Sequence, residues 1–263
     1  MGRGYVSSVL AAVLATAVAL VSPGLQAKRT VAEITAFGPR PAGSKAELRV
    51  HRYAAARLDR LGYEVETPTF RLPRGGLSRN VVGTSDGRPR VVVLAHADGV
   101  RGTRAANDNA SGVAVMLEVA AALQGRDGVV VAALGAEERI ETRSRYHLGS
   151  AAFLRAQSPP ERASIRFAVS LDMVGVGTRL SVRGIEAQPN RSARLLIPGA
   201  SYLRDPLGQS DHAELTRAGI PAAWLQWRED RCWHSRCDTL QRISVQRLQA
   251  AIDVTLKAAE AAL

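Results

Sequence analysis

Four apolar runs in this chain each lead to a residue that can bind a metal ion, and that pattern limits the fold more than anything else in the sequence. V-V-V-L-A runs into His96, with Asp98 two residues on. V-V-V-A-A-L-G-A runs into Glu137 and Glu138, F-A-V-S-L into Asp172, and A-A-W-L-Q-W into the loop that carries His234. Runs of this length and β-branched content read as buried strands. Helical patterns alternate with them: Glu47 to Leu61, Ser111 to Leu123, Leu148 to Ala156, Asp211 to Arg217 and Val245 to Leu263. Strands alternating with helices predict an α/β fold, a mostly parallel mixed sheet with helices on both faces. In such sheets, ligands bind outside the carboxyl ends of the strands.

A fifth acid lies in A-A-N-D-N-A-S-G, where the chain leaves the first of these strands. Taken alone, Asp108 is a helix cap. Beside two histidines and several more carboxylates it suits a different role. Imidazole nitrogen and carboxylate oxygen are the donors Zn²⁺ takes, and this set exceeds what one catalytic zinc requires. Two cations sharing a bridging carboxylate would neutralise Asp108 and hold a hydroxide for attack on a carbonyl. Asn107, Asn109 and Ser111 can fix the loop through hydrogen bonds to the backbone, and Gly112 permits close packing behind it.

The remaining features set the frame. Arg3 precedes an apolar stretch from Val6 to Val21, and small residues follow as far as Ala27. This is the order of a secretory signal. Residues 1–27 are expected to be a cleaved leader, with an uncleaved N-terminal anchor as the alternative; residues 28–263 are expected to be one catalytic domain, and the product secreted or extracytoplasmic, without stable membrane insertion after cleavage. The net charge is +11, but the arginines are scattered and aromatic residues are few, so no nucleic-acid partner is expected. Cys232 and Cys237 are the only cysteines; in an exported chain they are expected to form a disulfide beside His234.

The motifs H-A-D (96–98), A-N-D-N-A-S-G (106–112), A-E-E (136–138), L-G-S (148–150), L-D-M-V-G (171–175), S-D-H (210–212), G-I-P (219–221) and W-H-S-x-x-D-T (233–239) occur in that order, after G-P-R-P-A-G-S (38–44). In this the chain resembles the secreted di-zinc aminopeptidases of metallopeptidase family 28. The resemblance implies two zinc ions per chain: His96 and Asp172 on one, Glu138 and His234 on the other, Asp108 between them. It implies Glu137 as general base and Asp98 as the partner orienting His96. Asp238 would either do the same for His234 or cap the turn. The implied substrates are peptides with a free N-terminus, and the expected state is a monomer. A glutaminyl cyclase using one zinc, or a metal-free pseudo-peptidase binding domain, are the alternatives. His147 is read as a loop residue with pocket lining as the alternative, His212 as a packing or hydrogen-bonding residue with a substrate contact as the alternative, and His51 as an ordinary helix residue; the basic segment 139–147 departs from the family's usual glycine-rich turn.

Overall fold

The structure, a computed structural model, describes residues 21–73, 75–138, 147–185 and 202–263. Most of the expected leader and of the basic segment 139–147 lies outside the described residues.

An eight-stranded sheet forms the centre. Its strands, in chain order, are β1 (Glu64–Glu66), β4 (Val81–Thr84), β5 (Val91–His96), β6 (Val129–Leu134), β7 (Phe167–Leu171), β8 (Arg179–Gly184), β9 (Tyr202–Arg204) and β10 (Ala222–Arg228). A separate hairpin pairs β2 (Thr69–Arg71) with β3 (Leu77–Arg79). The spatial order is β1-β4-β6-β5-β7-β10-β8-β9. The inner four, β6, β5, β7 and β10, run parallel, while β4 and β8 flank them antiparallel. Val91 to His96 and Val129 to Leu134 are buried on both faces, as strands covered by helices must be.

The helices are α1 (Pro23–Ala36), α2 (Lys45–Arg60), α3 (Gly112–Ala122), α4 (Leu148–Ala156), α5 (Pro159–Ser164), α6 (His212–Arg217) and α7 (Val245–Ala262). One core contains Val31, Leu58, Met116 and Ile252 against the odd-numbered positions of β5; the other packs Phe153 and Leu215 on Val92 and Leu94. The two cores lie on opposite faces because alternate strand residues point opposite ways.

The stretch Tyr63 to Arg71 is broken into β1 and β2 around Pro68, whose missing N–H cannot continue a ladder. Asp211 makes no cap bond, and its Oδ1 accepts from Ser150 Oγ at 2.6 Å. Ala27 belongs to α1, which starts at Pro23 with the Ser22 hydroxyl accepting from Leu25 N. Ala27 is fully buried, and Gly24 N donates to Gln249 Oε1 on α7 at 2.8 Å. Among the described residues, no helix is long and apolar enough to cross a membrane.

Candidate metal centre

The carboxyl ends of the four parallel strands meet on one edge of the sheet, and the chemistry gathers there. His96 is the last residue of β5, and Asp172 follows β7 directly. Glu137 and Glu138 follow β6 after Gly135 and Ala136, and His234 comes from the loop beyond β10. Asp108 stands in an irregular turn before α3, joined to Asn109 by a cis peptide bond.

Asp108 is the pivot. One of its oxygens, Oδ1, is 3.3 Å from His96 Nε2; the other, Oδ2, is 3.3 Å from His234 Nε2. His96 Nε2 is also 3.6 Å from Asp172 Oδ1, and His234 Nε2 is 3.2 Å from Glu138 Oε2. Two sets of side chains could therefore each hold a cation, His96–Asp108–Asp172 and Asp108–Glu138–His234, with Asp108 common to both. His96, Glu137 and Glu138 make a third, overlapping set.

The spacing can be tested against coordination chemistry. Ligands about 2.0–2.1 Å from a tetrahedral zinc lie about 3.3 Å apart. The four nitrogen–oxygen separations bracket that value. They are also too long for good hydrogen bonds. Accordingly, both ring nitrogens of His96, Glu138 Oε1 and Asp172 Oδ1 are buried without a hydrogen-bond partner. Buried polar atoms left unpaired are costly, and a shared cation would satisfy them. The donor set fits zinc.

Two more carboxylates hold the cluster from behind, each by gripping two successive amides. Asp98 accepts from Glu137 N at 3.0 Å and Glu138 N at 3.1 Å, and its Oδ1 is 3.5 Å from His96 Nδ1. Asp238 accepts from Asn107 N at 2.7 Å and Asp108 N at 3.0 Å. Of the two roles open to Asp238 in the sequence, neither describes these contacts: its carboxylate fixes the backbone of Asp108 rather than the ring of His234. The Asn107–Ser111 turn is held as expected. Asn107 Oδ1 accepts from Gly175 N and Val176 N, Asn109 Oδ1 accepts from Gly112 N, and Ser111 Oγ donates to Asn107 O. A Cβ on Gly112 would sit 2.1 Å from Leu171 O, so only glycine fits.

Sequence reading missed Arg40 here and left His147 open. Arg40, fully buried, donates to the carbonyls of Ala97, Arg104 and Ala105, which bound the loop between His96 and Asp108. Burial pushes its guanidinium down to about 10, and Asp238, Asp98, Asp108 and Glu138 oppose that shift. It is the cation that an acid cluster needs, and its only signal was its place in G-P-R-P-A-G-S. His147, read as a loop residue, is buried with Nε2 3.4 Å from Glu137 Oε1. His212 packs as expected, its ring 6.0 Å from that of Trp224, and His51 is buried in α2.

Burial raises Glu137 to about 7, against the pull of His96 and His147. The described non-glycine residues with left-handed backbone are Ala105, Ala136, His147, Met173, Glu229 and His234. Each belongs to the cluster, flanks it or lines its cavity. Such conformations are costly for residues with a Cβ and gather where geometry outranks stability. Cys232 and Cys237 form a disulfide, Cα atoms 5.3 Å apart, around the His234 turn. The cleft in front has a volume of about 620 Å³ and opens between the acid cluster and the loop at Leu207–Gln209.

Taken together, these elements define an open α/β domain built around a candidate two-cation centre at its strand ends. The chain belongs to Peptidase family M28, whose sequence pattern matches residues 80–259. It is 32% identical to Aminopeptidase YwaD of Bacillus subtilis (strain 168) over 207 residues, 69% of this chain and 44% of that protein. The chain spans about half the length of the curated relatives it matches. Its fold is shared with an aminopeptidase from Aneurinibacillus sp. strain AM-1, at a TM-score of 0.82 and 19% identity over 91% of this chain and 93% of that one. It is shared too with the glutaminyl cyclase of Tannerella forsythia, at 0.74 and 22% identity over 90% and 97%. Both comparisons of structure speak to fold alone.

Proposed function

We propose that this protein is a secreted zinc aminopeptidase that removes N-terminal residues from peptides. The observation that carries the reading is Asp108, whose two carboxylate oxygens each face a different histidine at 3.3 Å. That arrangement favours two zinc ions per chain over the single zinc of a cyclase, and it speaks against a metal-free binding domain, since every candidate position keeps a competent donor. The curated relative named an aminopeptidase points the same way.

In this reading His96, Asp108 and Asp172 hold one ion and Asp108, Glu138 and His234 the other. When bound, the ions supply Lewis acidity toward the scissile carbonyl and lower the proton affinity of water. The chain's own residues do the rest. Glu137 accepts a proton from the attacking water and returns it to the departing amine. Asp98 keeps Glu137 and Glu138 apart in role by fixing both their amides, and it orients the His96 ring. His147 steadies Glu137 at its Oε1, the oxygen other than the one nearer His96.

Glu137→Gln should retain both ions while kcat falls by about 10²–10⁴. Steady-state hydrolysis of aminoacyl-anilides, read beside elemental analysis of the same sample, checks this; a variant with wild-type turnover would remove Glu137 from the reaction. Export is carried by the leader pattern before Ser22. Because Gly24 and Ala27 are buried in the first turns of α1, we expect processing upstream of Ser22 rather than after Ala27. A mature N-terminus at Lys28, found by N-terminal sequencing of secreted protein, would contradict that.

A further inference from the structure

The cleft has two chemically different ends. The metal end holds Asp108, Glu137, Glu138 and Asp172. The wall running away from it is one face of β10 and β8. Antiparallel pairing sets Trp224 opposite Arg183 and Gln226 opposite Ser181, and alternation sends Trp224, Gln226 and Arg228 to the same face. Trp224 ties this wall to the centre, its indole N–H donating to the carbonyl oxygen of Asp172 at 3.0 Å. The opposite face of β10, with Leu225 and the partly buried Trp227, packs into the core.

Arg183 is the odd residue on that wall. Its guanidinium lies over the Trp224 ring, 4.7 Å from the centroid. Its one hydrogen bond is long, Nη1 to Gln226 Oε1 at 3.5 Å, and its Nε is buried with no partner. No carboxylate among the described residues comes within ion-pair distance. Asp205 and Asp172 act on it only through space, and Asp205 is already engaged by Gln209 N. The other acids of the cleft are also occupied: Glu229 accepts from Thr178, and Asp230 accepts from Asn107, Cys232 and Arg242. Arg228 adds a second positive charge to the same wall. An arginine held over an aromatic ring, half-buried and with no counter-ion among the described residues, is poised for a planar anion from outside the chain.

We propose that Arg183 selects substrates by a carboxylate, in the first instance the side chain of an N-terminal glutamate or aspartate. The proposal rests on the aminopeptidase reading above and deepens it. Met173, Trp224 and Gln226 form the walls around the methylene groups, and the guanidinium receives the acid at the far end. A neutral side chain there would bury the arginine further and leave it unpaired, so selectivity arises from both attraction and rejection. The same chemistry could be met by the C-terminal carboxylate of a dipeptide, and the test separates the two.

The experiment compares isosteric pairs. With the zinc-loaded protein, glutamyl-anilide should exceed glutaminyl-anilide in kcat/KM by about 10- to 100-fold, the scale of a charge-assisted hydrogen bond. Arg183→Met should bring that ratio close to one. Arg183→Glu should turn the preference toward lysyl- and arginyl-anilides. If Ala-Ala is preferred over Ala-Ala-amide instead, and Arg183→Met removes that preference, the recognised carboxylate is the C-terminal one. Calorimetry on zinc-loaded Glu137→Gln protein gives a readout apart from turnover: L-glutamate should bind more tightly than L-glutamine, and the difference should vanish with Arg183→Met. Hydrolysis of leucyl-anilide with no discrimination in either pair overturns the role of Arg183 and leaves the peptidase reading intact. If no aminoacyl substrate is cleaved, the peptidase reading fails, and equal binding of glutamate and glutamine then sinks carboxylate selection as well.

Discussion

His96 and His234 face the same carboxylate from opposite sides, yet they are held in different ways. His96 ends a strand paired on both sides by parallel neighbours, is 1% exposed, and has Asp98 behind its ring. His234 hangs from a turn, has a side chain 38% exposed and a left-handed backbone, and depends on a disulfide two residues before and three after it. No buried acid backs its ring; the nearest candidate, Asp238, is spent on the amides of Asn107 and Asp108. The position nearer His96 is thus built into the sheet, whereas the position nearer His234 is completed by a loop. In such a pair the sheet-borne ion should be the tighter and slower to exchange, and the loop-borne ion the one that chelators remove first.

The largest effect comes from breaking what the two halves share. Asp108→Ala should reduce bound zinc from about two ions per chain to nearly none, whereas His234→Ala should leave about one. Elemental analysis after gel filtration reads both; equal losses in the two variants would contradict the asymmetry. A smaller effect separates the clamps. Asp98→Asn and Asp238→Asn should each weaken zinc binding by about 10–100-fold. The loss should fall on both ions for Asp98, which supports His96 and Glu138, and chiefly on the Asp108-dependent contacts for Asp238. Competition titration against a chelator of known affinity resolves the two sites. The smallest effect is expected from the disulfide. Cys232→Ser with Cys237→Ser should speed release of the loop-borne ion several-fold and leave the other unchanged, since the bond restrains only a short turn. Two-phase chelator kinetics would show it as a change in the fast phase alone.

Much of this site was legible because a strand's end is written in the sequence twice, once by its apolar run and once by the residue that stops it. His96, Glu137, Glu138 and Asp172 all follow buried strands, and parallel topology then carries them to one edge. The Asn107–Ser111 turn was legible for a similar reason: short polar side chains in series can bond only to nearby backbone. Less could be read where one composition serves two purposes. Ser22, Pro23, Gly24 and Ala27 suit a cleavage region, but Ser22 followed by proline is equally a helix start, and only packing against α7 decides for α1. Arg40 and His147 carried no periodicity to mark them. Their importance lies in contacts with residues 57 or more positions away for Arg40, and across the undescribed segment for His147.

The sequence by itself determined where the four inner strands fall, the donor types at their ends and the pairing of two cysteines beside a histidine, because each is a local matter of hydrophobic period and side-chain chemistry. The tertiary structure alone decided which carboxylates face the cluster and which brace it from behind. Asp98, Asp108 and Asp238 are the same functional group in three polar loops, and only the direction of each oxygen, toward a ring nitrogen or toward a pair of amides, tells a candidate ligand from its support. It decided, too, that Arg183 lies over Trp224 with no counter-ion among the described residues, since a charge's isolation depends on every neighbour the fold brings near and not on the residues beside it in the chain.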